Sequence, residues 1–134
     1  MTEKPRRSVI EPRNPHLNAS RGANLPHVPG VRVGDYIFLS GMTPIDPETG
    51  KRQNGPIGEQ VRTTLANMRH MLESAGSSME KVVRVLVMIT DIEQWAGMNE
   101  IYRTYFPSEP PARSAIGVQL NNGMKIEMEC TALE

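Results

Sequence analysis

Val82-Val83-Arg84-Val85-Leu86-Val87-Met88-Ile89 limits the possible folds of this chain more than any other stretch. One charge among mostly β-branched residues reads as a strand, and apolar side chains on both of its sides place it in the middle of a sheet. Such a strand needs cover on both faces. Two helical segments can be recognised, and two helices cover one face. The remaining face predicts an oligomer that packs sheet against sheet. With 134 residues the chain suits one domain. A domain of this size buries roughly two-thirds of its unfolded surface and needs neither metal nor disulfide.

The first helical segment runs from near Pro56 to Ala75. Val61, Leu65, Met68, Met71, Leu72 and Ala75 recur on one side, with Arg62, Asn67, Arg69 and Glu73 outward. Gly76 follows where a left-handed cap is expected. The second segment opens at Asp91-Ile92-Glu93-Gln94, which has the form of a capping box. It buries Trp95, Met98, Tyr102 and Tyr105, and Phe106-Pro107 ends it. Asn99 interrupts that stripe, as either an outward polar residue or one aimed at a site. The methionines on the first helix read as core fillers. His70 has no histidine or cysteine at ligand spacing, so no metal role is expected for it.

Eight of the eleven prolines precede residue 57. Residues 1–26 therefore read as an extended N-terminal arm, with a disordered tail over 1–7 and one short strand at Ser8-Val9-Ile10; residues 27–134 read as the domain. Val31–Val33 and Tyr36–Gly41 form two strands around a Gly34-Asp35 turn. The second is apolar on both sides and ends in Ser40-Gly41, a hydroxyl beside a residue that lets a ligand approach, although a plain strand exit has the same pattern. Residues 44–58 are loop, with strong turn sequences at Asp46–Gly50 and Asn54–Pro56. Charges balance at 15 basic and 15 acidic, which argues against a nucleic acid or an anionic membrane as the partner. No stretch resembles a signal peptide or spans a membrane, and the lone Cys130 can form no internal disulfide. A cytoplasmic setting follows. The element order is β-β-α-β-α-β-β, in which each helix joins two parallel strands of a mixed sheet.

Chemistry concentrates after Pro110-Pro111, which forbids helix. In the strand that follows, Ile116, Val118 and Leu120 fall on one side; Arg113, Ala115, Gly117 and Gln119 fall on the other. A rigid guanidinium beside small residues suits a planar carboxylate gripped bidentately. It also fits an exposed arginine on a sheet face. The last strand, Lys125–Ala132, points Ile126, Met128, Cys130 and Ala132 inward, with Glu127 and Glu129 on the opposite side. Cys130 is thus an inert filler. Glu127 and Glu129 are either solvated charges or a pair in which one raises the other's pKa. Asn121-Asn122-Gly123 would suit a hairpin, and that register sets Arg113 roughly 13 Å from Glu127.

Taken in order, Gly34-Asp35, Leu39-Ser40-Gly41, Asp46-Pro47-x-Thr49-Gly50, Gln60 with Leu65 and Asn67, Ala75-Gly76, Asn99-Glu100-x-Tyr102, Pro111-Ala112-Arg113-Ser114 and Ile126-Glu127-Met128-Glu129 resemble the YjgF/RidA family of reactive-intermediate deaminases. The resemblance implies a chorismate-mutase-like α+β fold: a mixed sheet of about six strands, two helices on one face, the last strand inserted between earlier ones. It also implies a homotrimer with clefts between subunits that bind a small carboxylate substrate. Members that are enzymes hydrolyse enamines and imines of amino acids to 2-oxo acids and ammonia, with neither cofactor nor metal. By position, Arg113 is the carboxylate-gripping arginine, Glu127 the acid that activates water, and Ser40 and Asn99 further catalytic positions. Gly41, His27 and Ala115 are substrate-binding positions; His27 stands where many members have tyrosine, and Ala115 where many have cysteine. Two alternatives accompany the imine deaminase reading. One is a trimer that binds carboxylate metabolites without turning them over. The other is a pathway-specific deaminase of a larger enamine such as an aminomuconate.

Overall fold

A computed structural model describes residues 6–134. Its strands are β1 (Arg7–Ile10), β2 (Gly30–Val33), β3 (Tyr36–Leu39), β4 (Val82–Ile89), β5 (Ala112–Gly117) and β6 (Ile126–Leu133). Its helices are α1 (Ala19–Gly22), α2 (Ile57–Ser74) and α3 (Trp95–Tyr105). The six strands form one sheet in the order β1-β2-β3-β6-β4-β5. β4 and β5 are parallel and every other pairing is antiparallel. The last strand is thus inserted between β3 and β4, and the 121–123 segment makes no hairpin. It forms a 3-10 turn with Asn122 at φ 59° and Gly123 at φ 72°, which redirects the chain past β4.

Both helices pack on one face. Val61, Leu65, Met68, Met71 and Leu72 of α2 and Met98 and Tyr102 of α3 are buried there. From the sheet they meet Ile37, Val85, Val87, Ile89, Ile126 and Met128. Gly76, at φ 80°, ends α2 as a left-handed residue. The start of α3 differs from a capping box. Asp91 accepts from the Glu93 amide over a 3-10 turn at Ile92–Gln94, and no side chain caps α3 itself.

The other face is bare within the chain. Tyr36, Phe38, Val83, Ile116 and Leu133 lie there 40–50% exposed. Ile116, expected to share an apolar face with Val118 and Leu120, occupies this open side, and the Arg113–Ala115 side of β5 turns toward α3 instead. The two apolar sides of Tyr36–Leu39 are real, but only one is covered.

The disordered-tail expectation falls mostly on residues outside those described. Beyond them the arm is well tied down. β1 adds to the sheet edge, a 3-10 turn follows at Pro15–Leu17, and α1 follows that. The arm is bolted to α2 by Arg13 N–H donating to Ser74 Oγ (3.0 Å) and Asn14 N–H donating to His70 Nε2 (2.9 Å). Asn14 Nδ2 also donates to the Pro47 carbonyl at 2.8 Å.

Burial and the nearby Arg13 hold the His70 pKa below its ordinary 6.5. The Nε2 that accepts from Asn14 has to be unprotonated, so this anchoring is complete above pH 6.5 and is lost as pH falls through the lower folded value. Hydrogen exchange should show amides 13–22 losing protection between pH 7.5 and 5, with a His70→Ala protein unprotected at both. Protection unchanged by pH would refute the role of His70.

Candidate active site

The expected site residues separate into two groups on opposite sides of the sheet. In register, Arg113 pairs with Val85, whose other neighbour is Cys130, so the arginine shares the helix-covered side. Glu127 pairs with Met88, whose other neighbour is Ile116, so the carboxylate shares the bare side. Two strand spacings and three residues of stagger set their backbones roughly 14 Å apart, with side chains diverging. One subunit alone cannot clamp a small substrate between them.

Arg113 is built by α3 and β5 together. Its guanidinium carbon lies 5.0 Å from the ring centre of Trp95 and 4.8 Å from that of Tyr102. Its Nη1 donates to Asn99 Oδ1 at 2.7 Å. Asn99 therefore holds the arginine. Trp95, Asn99 and Tyr102 fall on one α3 face because they sit three or four residues apart. The residues 110–117 supply the rest: Pro110 and Pro111 wall a depression of about 300 Å³ that also includes Asn99, Tyr102, Arg103 and Arg113. Ala115, two residues on, packs against the core. Among the described residues Arg113 has no ion-pair partner. Tyr102, its OH buried without a partner, has its pKa pushed up to about 12 by burial. Trp95 and Tyr102 were legible as a buried stripe; nothing in that pattern marks them as the arginine's stacking platform.

The second group lies beyond the ends of β2 and β3. Ser40 Oγ donates to the Val28 carbonyl at 2.6 Å, fixing the segment that carries His27. Gly41 leaves the space that Glu127 fills: a Cβ there would meet the Glu127 carboxylate, which rests directly on the Gly41 backbone. Backbone bonds between Met42 and Met128, 2.6 Å and 3.0 Å, lock the two segments together. His27, Ser40 and Gly41 also line a small cavity of about 50 Å³ with part of the arm.

Glu127 is half-buried. Burial raises its pKa, the neighbouring Glu129 raises it further, and Arg52 and His27 pull it down. Arg52 had no signal in the sequence; its buried Nε has no partner among the described residues. Cys130 is buried, and its thiol is pushed up to about 12, which keeps it a thiol.

The fold is that of a small α+β domain with two long helices on one face of a six-stranded mixed sheet, and sequence comparison names its family. A family model described as endoribonuclease L-PSP matches residues 18–134. The chain belongs to that family, also known as YjgF/RidA. A RutC family protein of Pyrococcus abyssi is 43% identical over 108 residues, 80% of this chain and 85% of that protein. A human protein named 2-iminobutanoate/2-iminopropanoate deaminase is 37% identical over 114 residues, 84% and 83% of the two chains. The solved structure of a Rid-family protein of Yersinia pestis superposes with a TM-score of 0.88 at 32% identity, covering 96% of this chain and 100% of the other.

Because the Glu127 pKa is raised, its contribution to folding is present below the ordinary value of 4.5 and is lost as pH rises through the folded value. Carboxyl titration by NMR should show the Glu127 midpoint moving down in Glu129→Gln and up in Arg52→Gln. A midpoint that neither change moves would refute this electrostatic account.

Proposed function

We propose that the protein is a cofactor-independent deaminase that hydrolyses 2-imino acids, and the enamines that give rise to them, to 2-oxo acids and ammonia. It works as a homotrimer, with Arg113 of one subunit facing Glu127, Ser40, Gly41 and His27 of the next. The observation that carries this reading is the split site. An arginine that has no counter-ion among the described residues and a carboxylate of raised pKa lie on opposite sides of one sheet, and a second subunit whose β5 edge met the bare face would unite them. The imine deaminase among the relatives supports the reaction class.

In the cleft, Arg113 grips the substrate carboxylate through charge-assisted hydrogen bonds worth about 1.5–3 kcal/mol each, while Asn99 and the two rings hold its plane. Water adds to C2 of the protonated imine as Glu127 takes a proton from it, and the C=N π electrons pass to nitrogen, leaving a neutral amine on C2. Glu127 then returns its proton to the amine, the C2–N bond breaks, and ammonia leaves as the C2 oxygen becomes a carbonyl with loss of its own proton. A carboxyl with its pKa raised toward neutrality suits both halves of that exchange, a role typically worth about 10²–10⁴ in rate. The Ser40 hydroxyl, its proton committed to Val28, presents lone pairs to the water or to the imine N–H. No helix among the described residues is long and apolar enough to cross a membrane. The single, buried cysteine fits a cytoplasmic setting, with a small carboxylate as the partner and neither nucleic acid nor membrane.

Arg113→Ala should lower ammonia release from freshly generated 2-iminopropanoate by about 10²-fold or more. Its sedimentation should match the wild type at a trimer mass. Full activity in that variant, or a wild-type monomer at micromolar concentration, would overturn the proposal.

A further inference from the structure

The depression at Arg113 holds a second cation. Asn99, Tyr102, Arg103, Pro110, Pro111 and Arg113 line it, and no carboxylate is among them. Asn99 and Arg103 sit four residues apart on α3, so their side chains leave one helix face about 5–6 Å apart. Asn99 Oδ1 already holds Arg113 Nη1 at 2.7 Å. The Arg103 side chain therefore starts one helical turn from the point where Arg113 is anchored. Among the described residues neither guanidinium has an ion-pair partner. A cation in the last turn of α3 suits the helix dipole on any face of the helix. Its place beside Arg113 needs another reason, because two like charges that share a space repel until an anion enters it.

We infer that Arg103 sets the specificity of the deaminase site, which takes 2-imino acids carrying a second carboxylate: the C1 carboxylate on Arg113 and the distal one on Arg103. The inference rests on the proposed function and names its substrate class. Three observations converge on it. First, the depression offers an occupant only donors. Pro110 and Pro111 have no N–H, the Tyr102 hydroxyl is buried out of reach, and Asn99 has spent its oxygen on Arg113. What remains is two guanidiniums and the Asn99 Nδ2, a set that asks for acceptors at more than one point of the ligand. Second, the depression measures about 300 Å³. At roughly 10–15 Å³ per water-sized group, that far exceeds the three heavy atoms of a single carboxylate. Third, the two anchors differ in freedom. Arg113 is partly buried and held in plane by Asn99, Trp95 and Tyr102, whereas Arg103 is exposed. The first fixes one end of the substrate and the second closes on the other, across the single turn that a four- or five-carbon dicarboxylate spans. The chemistry at C2 is that of the proposed function.

The test compares kcat/KM for 2-iminoglutarate with that for 2-iminopentanoate, which has the same five-carbon chain and no second carboxylate. Each is generated in situ from its amino acid by an oxidase. The wild type should favour the dicarboxylate by at least about 10-fold, through one further charge-assisted contact. Arg103→Gln should shrink that ratio at least about 10-fold, mainly through KM for the dicarboxylate, and Arg103→Lys should keep most of it. Raising salt from about 0.05 M to about 0.5 M should narrow the wild-type ratio and leave that of Arg103→Gln where it is. A parallel measurement needs no turnover: thermal shift by 2-oxoglutarate against 2-oxopentanoate in the same three proteins. An active enzyme with a wild-type ratio near one, or a ratio that Arg103→Gln leaves unchanged because both substrates fall together, overturns the role of Arg103 and leaves the deaminase reading standing. An inactive protein that selects 2-oxoglutarate, with selection lost in Arg103→Gln, upholds the two-arginine site and overturns the deaminase. An inactive protein without selection overturns both. Stronger protection by inorganic phosphate than by 2-oxoglutarate overturns the dicarboxylate assignment.

Discussion

Two helices can shield one side of a six-stranded sheet, and everything in this molecule follows from which side they take. α2 and α3 cover the side that carries Val85, Val87, Ile89, Ile126 and Met128, and leave Phe38, Val83, Ile116 and Leu133 in the open. Each of these side chains, 40–44% exposed, forgoes about 1 kcal/mol of burial. Contiguous apolar surface on a sheet is a standing invitation to a second sheet. Because side chains alternate across a strand, the same choice assigns Arg113 to the covered side and Glu127 to the bare one. In the proposed trimer, a cover for the bare face and a partner for the separated site residues would come from one contact. On this view assembly is part of the catalytic apparatus, and a subunit that failed to assemble would lose its site along with its cover.

The arginine illustrates how such a site is kept ready. Partly withdrawing a guanidinium from water is unfavourable without compensation, yet Arg113 has no carboxylate beside it among the described residues. Its compensation is neutral: two ring faces and one amide oxygen. Ring faces and an amide restrain the fork without cancelling its charge, and one donated N–H leaves most of its five donors for a ligand. A structural salt bridge would have held the side chain as firmly and spent the charge.

Much of this could be read from the chain, and the failures share a cause. Period-two and period-3.6 patterns report which residues share a face, so β4, the apolar stripe of α2 and the β6 alternation of Ile126, Met128, Cys130 and Ala132 were legible. Asn67, expected outward on α2, is instead buried, because its Nδ2 donates to the carbonyls of Thr43 and Ile45. Such patterns do not report which strand lies beside which. Asn121-Asn122-Gly123 is good turn chemistry for a hairpin, yet β6 pairs with β3 and β4, in the middle of the sheet where Ile126, Met128, Cys130 and Ala132 meet the helix-covered core. For the edge strand β5, alternation separated Arg113 from Ile116 correctly and left open which set faces the helices. The stacked rings of α3 settle that in favour of the arginine. The Asn14–His70 bond and the Arg52 influence on Glu127 join residues far apart in the chain through backbone geometry, for which no local pattern exists.

The electrostatics around Glu127 tie assembly to chemistry. Within one subunit, burial and Glu129 push the carboxyl toward its protonated form, opposed by Arg52 and His27. In the proposed trimer, a neighbouring subunit that brings Arg113 to the cleft would add a further positive charge and deepen burial, two changes of opposite sign. The substrate carboxylate would neutralise the guanidinium it binds, so Glu127 would be more strongly ionised in the empty cleft than in the occupied one, and its proton affinity would rise when the imine arrives. Capture of a proton from water needs that higher affinity, and ionisation beforehand leaves the base free to act. One arginine, acting first on Glu127 and then on the ligand, would supply both conditions in the order the proposed hydrolysis requires.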